Sequence, residues 1–236
     1  MTAALFRDDA YLQEAEARVV GINSRGGVLL DRTVFYAQGG GQPGDSGRLI
    51  MADGRAIEIA TTIYDADKST IVHVPAEGQD LSGLDGTVIA RIDWPKRHLR
   101  MRVHTALHLL TAVLPYPVTG GGIGDGEGRL DFDIPEAGLD KSAIAAKLNA
   151  MIASDAVVRD RWITDEELAA NPGLVKTMSV KPPVGAGRVR LVEIVGLDLQ
   201  PCGGTHVART SEIGTVAITE IEKKGKQNRR VRIALA

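Results

Sequence analysis

Residues 95–114 read PKRHLRMRVHTALHLLTAVL, and this stretch divides the chain. Leu99, Val103, Ala106, Leu107, Leu110, Val113 and Leu114 recur at the spacing of one helical face. Pro95 suits a first helical turn and Pro115 stops the helix. Upstream no helical periodicity is seen. Instead ARVVGI (17–22), GVLLD (27–31), GRLIMA (47–52), RAIEIA (55–60), TTIYDA (61–66), TIVHV (70–74) and GTVIARID (86–93) read as short strands parted by polar turns. Asp53-Gly54 is a strong hairpin signal, because both residues tolerate positive φ. Such close strand spacing predicts a small β-barrel.

Downstream, helices and strands mix. Asp140–Ser154 repeats the helical pattern with Ile144, Leu148, Met151 and Ile152, and Thr164 with Glu167 has the form of a capping box. RLDFDI (129–134), VVRDRW (157–162), VRLVEI (189–194), GTVAITEIE (214–222) and RVRIAL (230–235) read as strands. The fold class is therefore α+β, with a barrel domain over 1–93 and a mixed α+β domain over 94–236. Charge divides at nearly the same place. Residues 1–90 carry 7 bases and 13 acids, a net of −6, and residues 91–236 carry 21 and 17, a net of +4.

The whole chain of 236 residues has a net charge of 28 − 30 = −2, which excludes a uniformly basic nucleic-acid coat. Hydrophobic residues at 44% and charged residues at 25% are an ordinary globular balance. No apolar run reaches the length of a membrane span, and the acidic N-terminus does not suit a signal peptide. A single cysteine suits a reducing, cytoplasmic setting.

Two pairs of metal-binding side chains share one spacing. His104 and His108 are four apart in HTALH, so both imidazoles project from the same helical face. Cys202 and His206 are four apart in PCGGTH, where Gly203 and Gly204 are expected to permit a sharp turn. Either pair alone is a weak signal, since a lone Cys is usually a small buried hydrophobe. Together they hold the only Cys and three of the five His, and N₃S is a tetrahedral donor set suited to one Zn²⁺. His73, in a strand, and His98 are not expected to be ligands. The pattern is not HExxH, because position 105 is Thr. Four protein ligands normally mean a closed, structural site.

HTALHLL (104–110), LDLQPCGGTHVARTSEIG (197–214) and KKGKQNRR (223–230) together resemble the editing domain of alanyl-tRNA synthetases and the free-standing AlaX proteins. TVFYAQGGGQPGDSG (33–47) resembles the glycine-rich motif that precedes that domain in the synthetase and in the medium-length AlaX type. The related editing domain of threonyl-tRNA synthetase shares the zinc pattern without the glycine-rich motif. The resemblance covers nearly the whole chain. It implies hydrolysis, in trans, of the ester joining serine, or in some members glycine, to tRNA for alanine. A pocket made for alanine rejects glycine and an added hydroxyl poorly, so a second hydrolytic sieve is required. No aminoacylation is expected, since the synthetase's ATP-binding core is not recognised in the sequence. The long AlaX form is not expected either, for no heptads follow residue 200, and nothing points to a protein partner or a membrane.

On this resemblance His104, His108, Cys202 and His206 are the zinc ligands. Thr105, between the histidines, becomes a candidate to hydrogen-bond the serine hydroxyl. Gly39, Gly40 and Gly41 would let backbone approach the substrate, with Gln42 contacting the amino acid or the terminal adenosine. The ion can activate water or polarise the carbonyl, hold the α-amino group, or fix the pocket; a full set of protein ligands favours positioning. Asp198 is the nearest carboxylate, either a base or a turn residue. Lys223, Lys224, Lys226, Arg229 and Arg230, and a helix cluster of Lys96, Arg97, Arg100 and Arg102, are expected at the phosphates of the tRNA acceptor end. Aromatics for base stacking are scarce at 4%. Two other readings fit the residues: a non-catalytic tRNA-binding module with structural zinc, and editing of Ser-tRNA for threonine.

Overall fold

The computed structural model describes residues 2–135, 138–178 and 187–236, and the chain falls into two compact units, Met1–His98 and Leu99–Ala236. In the first, six antiparallel strands close into a barrel: β1 (Glu14–Ile22), β2 (Val28–Leu30), β3 (Gly47–Met51), β4 (Ala56–Tyr64), β5 (Ile71–Pro75) and β6 (Thr87–Ile92), in the order β1-β2-β5-β4-β3-β6. β6 closes the ring on β1, with Glu14 opposite Arg91 and Arg18 opposite Thr87. Alternate residues point inward, so Val28, Leu30, Leu49, Ile57, Ile59, Val88, Ala90 and Ile92 form the core with Val34 and Phe35. RAIEIA and TTIYDA, which read as two strands, are the single strand β4, bent by an irregularity between Ile59 and Thr61 rather than broken by a turn. His73 is buried inside, with Nδ1 3.1 Å from the Val28 carbonyl and Nε2 2.7 Å from the Thr33 hydroxyl.

The glycine-rich motif forms a tight turn on this barrel. Gly40 (φ +56°) and Gly41 (φ +83°) occupy the left-handed region, as a type I′ turn requires at both central positions. The Gly39 and Gln42 backbones exchange N–H···O bonds of 3.1 and 2.9 Å. Gly44 is needed for a different reason: a Cβ there would sit 1.8 Å from the Thr62 carbonyl oxygen. Asp45 then accepts from the Tyr36 amide at 2.7 Å and pairs with the Arg97 guanidinium.

Helix α1 (Trp94–Val113) leads into the second unit, which holds β7 (Val118–Ile123), β8 (Glu127–Asp133), α2 (Lys141–Ala153), β9 (Val158–Thr164), α3 (Asp165–Ala170), β10 (Arg188–Ile194), β11 (Asp198–Pro201), β12 (Val216–Lys223) and β13 (Asn228–Leu235). The strands form one sheet in the order β12-β13-β8-β7 and another in the order β9-β10-β11. Gly128 on β8 lets α1 come close, since a Cβ there would lie 2.6 Å from Val103 Cγ1. Asp140 caps α2 through the Ser142 and Ala143 amides, and the Thr164–Glu167 capping box opens α3. β7 and β11 were not legible as strands. In VTGGGI, Gly121 is required where a Cβ would meet Leu130 Cδ2 at 2.9 Å. Among the described residues no helix is long and apolar enough to cross a membrane.

Candidate metal centre

The middle of α1 and the segment after β11 bring the two spaced pairs together. His104, His108, Cys202 and His206 each offer a donor atom, all within 4.8 Å of one another. Cys202 Sγ lies 3.5 Å from His104 Nε2 and 3.3 Å from His206 Nε2. A tetrahedron with Zn–S of about 2.3 Å and Zn–N of about 2.0–2.1 Å has S···N edges of about 3.5 Å, so the donors fit one zinc ion. Burial alone would raise the Cys202 thiol, but the neighbouring His104 and His206 rings outweigh it and hold the thiol well below its ordinary range. Burial and the same His104 ring push His206 down. A thiolate at Cys202 and a neutral imidazole at His206 are ligand states that a zinc site requires.

The imidazoles are aimed from behind. The Thr105 hydroxyl donates to the Met101 carbonyl at 2.9 Å, lies 3.1 Å from His206 Nδ1, and accepts from the Val207 amide at 3.3 Å. With its proton on Met101, the oxygen receives Nδ1–H and leaves Nε2 to the cluster. Behind His108, Asp198 Oδ2 lies 3.4 Å from Nδ1, a charge contact longer than an ordinary hydrogen bond. Asp198 also pairs with Lys176 and accepts from Gln200 Nε2 at 2.7 Å, while Lys176 and Gln200 both donate to Thr111, whose hydroxyl donates to the His108 carbonyl at 2.7 Å. Burial would lower His108, but the Asp198 and Cys202 anions outweigh it and push the imidazole up to about 9.

The CGG turn is held differently from expectation. Neither Gly203 nor Gly204 has a positive φ, so the turn does not rest on left-handed backbone. The Arg190 guanidinium donates to the Cys202 carbonyl at 2.8 Å and the Gly204 carbonyl at 3.0 Å, and the Gly204 amide points at Cys202 Sγ, 3.4 Å away. Arg190, Lys176, Gln200 and Thr111 carried no sequence signal that was read. One was present: Asp198, Gln200 and Cys202 alternate, the period of a strand with one face on the site.

Other expected residues fall elsewhere. Gln42 is 0% exposed and its backbone closes the glycine turn, in which Gly39 accepts from the Tyr36 hydroxyl at 2.9 Å. The helix cluster does not present four free cations. Arg97 is fully buried on Asp45, Lys96 pairs with Asp93, Arg100 with Asp125, and Arg102 donates to the Ile213 carbonyl. In the C-terminal cluster Arg230 forms two bonds to Asp131 and Lys224 pairs with Glu222, whereas Lys223, Lys226 and Arg229 have no carboxylate partner among the described residues. His73 and His98 lie outside the cluster, His98 stacked 5.3 Å from Trp94.

Comparison with known proteins defines the class first. The profile of the threonyl and alanyl tRNA synthetase second additional domain matches residues 189–232, the stretch with Cys202 and His206, and that of class II (A) tRNA synthetases matches residues 3–96. The alanyl-tRNA editing protein AlaX-M of Methanosarcina barkeri is 34% identical over 244 residues, covering 100% of this chain and 99% of its own. That of Saccharolobus solfataricus is 35% identical, covering 98% of each. An alanine–tRNA ligase of Korarchaeum cryptofilum is 38% identical over 94% of this chain, but only 25% of the ligase is covered. The chain belongs to the AlaX-M family of alanyl-tRNA editing proteins.

Proposed function

We propose that this protein is a trans-acting aminoacyl-tRNA deacylase of the cytoplasm. It hydrolyses the ester of Ser-tRNA(Ala), with Gly-tRNA(Ala) as a second substrate, and does not charge tRNA itself. The observation that carries this is the convergence of four donors from two distant segments in a chain aligned end to end with AlaX-M proteins. His104, His108, Cys202 and His206 would hold one Zn²⁺. A bound ion supplies fixed positive charge and Lewis acidity in the pocket.

The chain's own residues arrange the rest. Thr105, whose hydroxyl is fully hydrogen-bonded, acts through His206 rather than on the serine hydroxyl. Asp198, closed in by Lys176 and Gln200, orients His108 rather than serving as a base for water. Arg190 fixes the Cys202–Gly204 backbone, and Lys223, Lys226 and Arg229 meet RNA phosphates. The Gly39–Gly41 turn and Gln42 keep their assignment by resemblance. Replacing Gln42 by Ala should slow hydrolysis with zinc retained, and an unchanged rate would make the residue a part of the turn alone. We assign the barrel of residues 1–93 to presenting that turn, and 94–236 to the editing domain.

The deciding assay supplies Ser-tRNA(Ala), Gly-tRNA(Ala), Ser-tRNA(Thr) and Ala-tRNA(Ala) under one set of conditions. Loss of serine from tRNA(Ala), with the alanyl ester intact, is the expected result. Retention of tRNA with every ester intact would establish a non-catalytic binding module, and preference for Ser-tRNA(Thr) would move the substrate to the threonine system.

A further inference from the structure

We infer that the surface around Trp162 on β9 and β10 is a stacking platform for an unpaired nucleobase at the 3′ end of the RNA; the inference rests on the proposed tRNA substrate. Trp162 is 46% exposed, and the Arg188 guanidinium carbon lies 4.6 Å from its ring centroid. A large, half-exposed flat ring with a planar cation over one face is suited to extend that stack with a base, on the guanidinium or on the ring. Its position ties it to the metal centre. Trp162 stands directly opposite Arg190 across the β9–β10 pair, and opposed residues share a face. Arg190 is the residue that holds the Cys202 and Gly204 carbonyls, and its own carbonyl accepts from the Cys202 amide at 3.2 Å. Two strand spacings, about 10 Å, therefore separate the backbones of Trp162 and Cys202. That is the reach of a nucleoside from a 3′-linked ester to a neighbouring base. The start of β9 is fixed to the same segment, since the Val158 amide donates to the Ala208 carbonyl at 2.8 Å, two residues beyond His206.

Charge favours a polyanion over a protein edge. On the Trp162 face Arg190 pairs with Asp160, whereas Arg188, seated on the ring, has no carboxylate partner among the described residues; Arg159 and Arg161 alternate onto the other face, where both pair with Glu193. Of the three acids in the first turn of α3, Glu167 caps the Thr164 amide, Asp165 accepts from the Gly187 amide, and Glu166 is exposed.

The test uses the full chain with zinc and an uncharged acceptor-stem minihelix of tRNA(Ala), with and without its single-stranded 3′ overhang. Trp162→Ala should weaken binding of the overhang form about fivefold or more. Trp162→Phe should retain most of it, and neither should change binding of the trimmed form. Equal binding by Trp162→Ala and wild type, equal weakening for both RNAs, or no binding by wild type would overturn the inference. So would a drop in sedimentation coefficient on Trp162→Ala, which would make this edge a contact between two copies. Because no ester is broken here, failure of the deacylation assay and failure of this inference are separate results.

Discussion

A threonine hydroxyl has one proton and two lone pairs, and at Thr105 all three have partners: the Met101 carbonyl, His206 Nδ1 and the Val207 amide. Thr105→Val keeps the shape and removes the hydroxyl, leaving a buried imidazole N–H and a buried amide without an acceptor. Loss of such a partner behind a ligand typically weakens metal affinity about 10- to 100-fold. Competition with a chromophoric chelator should show that loss, with Thr105→Ser close to wild type. Hydrolysis of Ser-tRNA(Ala) and Gly-tRNA(Ala) should fall by the same factor. A deficit confined to serine, at unaltered zinc affinity, would instead return Thr105 to direct contact with substrate. At this scale the pairing of the four donors was legible, because spacing and the scarcity of Cys and His act along the chain. The hydroxyl's role was not, since it depends on a partner 101 positions away.

Among the elements, α1 carries two of the four donors and is held at short range by a strand that must be bare where the helix crosses. At Gly128 a Cβ would sit 2.6 Å from Val103 Cγ1 and 3.2 Å from Leu107 Cδ1, both within one turn of His104. Gly128→Ala should therefore cost about 1–3 kcal/mol by overpacking. For a unit of this size that lowers the melting temperature by roughly 2–10 °C, and zinc should bind more weakly as α1 is displaced. Gly122→Ala is the control, because its Cβ would meet nothing closer than Arg129 Nε at 3.8 Å. Equal melting temperatures for the two variants would refute the close approach. Glycine explains what the sequence hid here. The period-3.6 stripe of α1 and the capping box of α3 are local and were readable, whereas GGG in β7 resembles a loop until a facing Leu130 is known. Arg97 looked like one more exposed helix cation; its partner Asp45 lies 52 positions back.

In the whole molecule, each compact unit buries its own titratable side chains, His73 in one and the four-donor cluster in the other, and each holds one of the two tryptophans. Burial pushes His73 in the barrel down to about 4, against a weaker opposing effect of the Val28 carbonyl. Its folded pKa lies below the unfolded value of about 6.5, so between these values the unfolded chain binds more protons and stability falls as the pH falls. From pH 7 to pH 5 the loss is about 2 kcal/mol, roughly 10 °C for a unit of this length. Trp94, packed on the barrel core, reports this transition in a Trp162→Phe background. Adding His73→Gln should flatten the pH dependence whatever it does to absolute stability. A zinc ion held by the four donors would bind only the folded unit of residues 99–236, so chelation should lower the transition seen through Trp162 in a Trp94→Phe background, by an amount that grows with zinc affinity. At pH 7 chelator should leave the Trp94 transition nearly in place. A single transition, moved equally by chelator through both probes, would show that the two cores unfold as one and that the metal site stabilises the barrel as well. An unchanged pH slope in His73→Gln would remove the buried imidazole as the source of acid sensitivity.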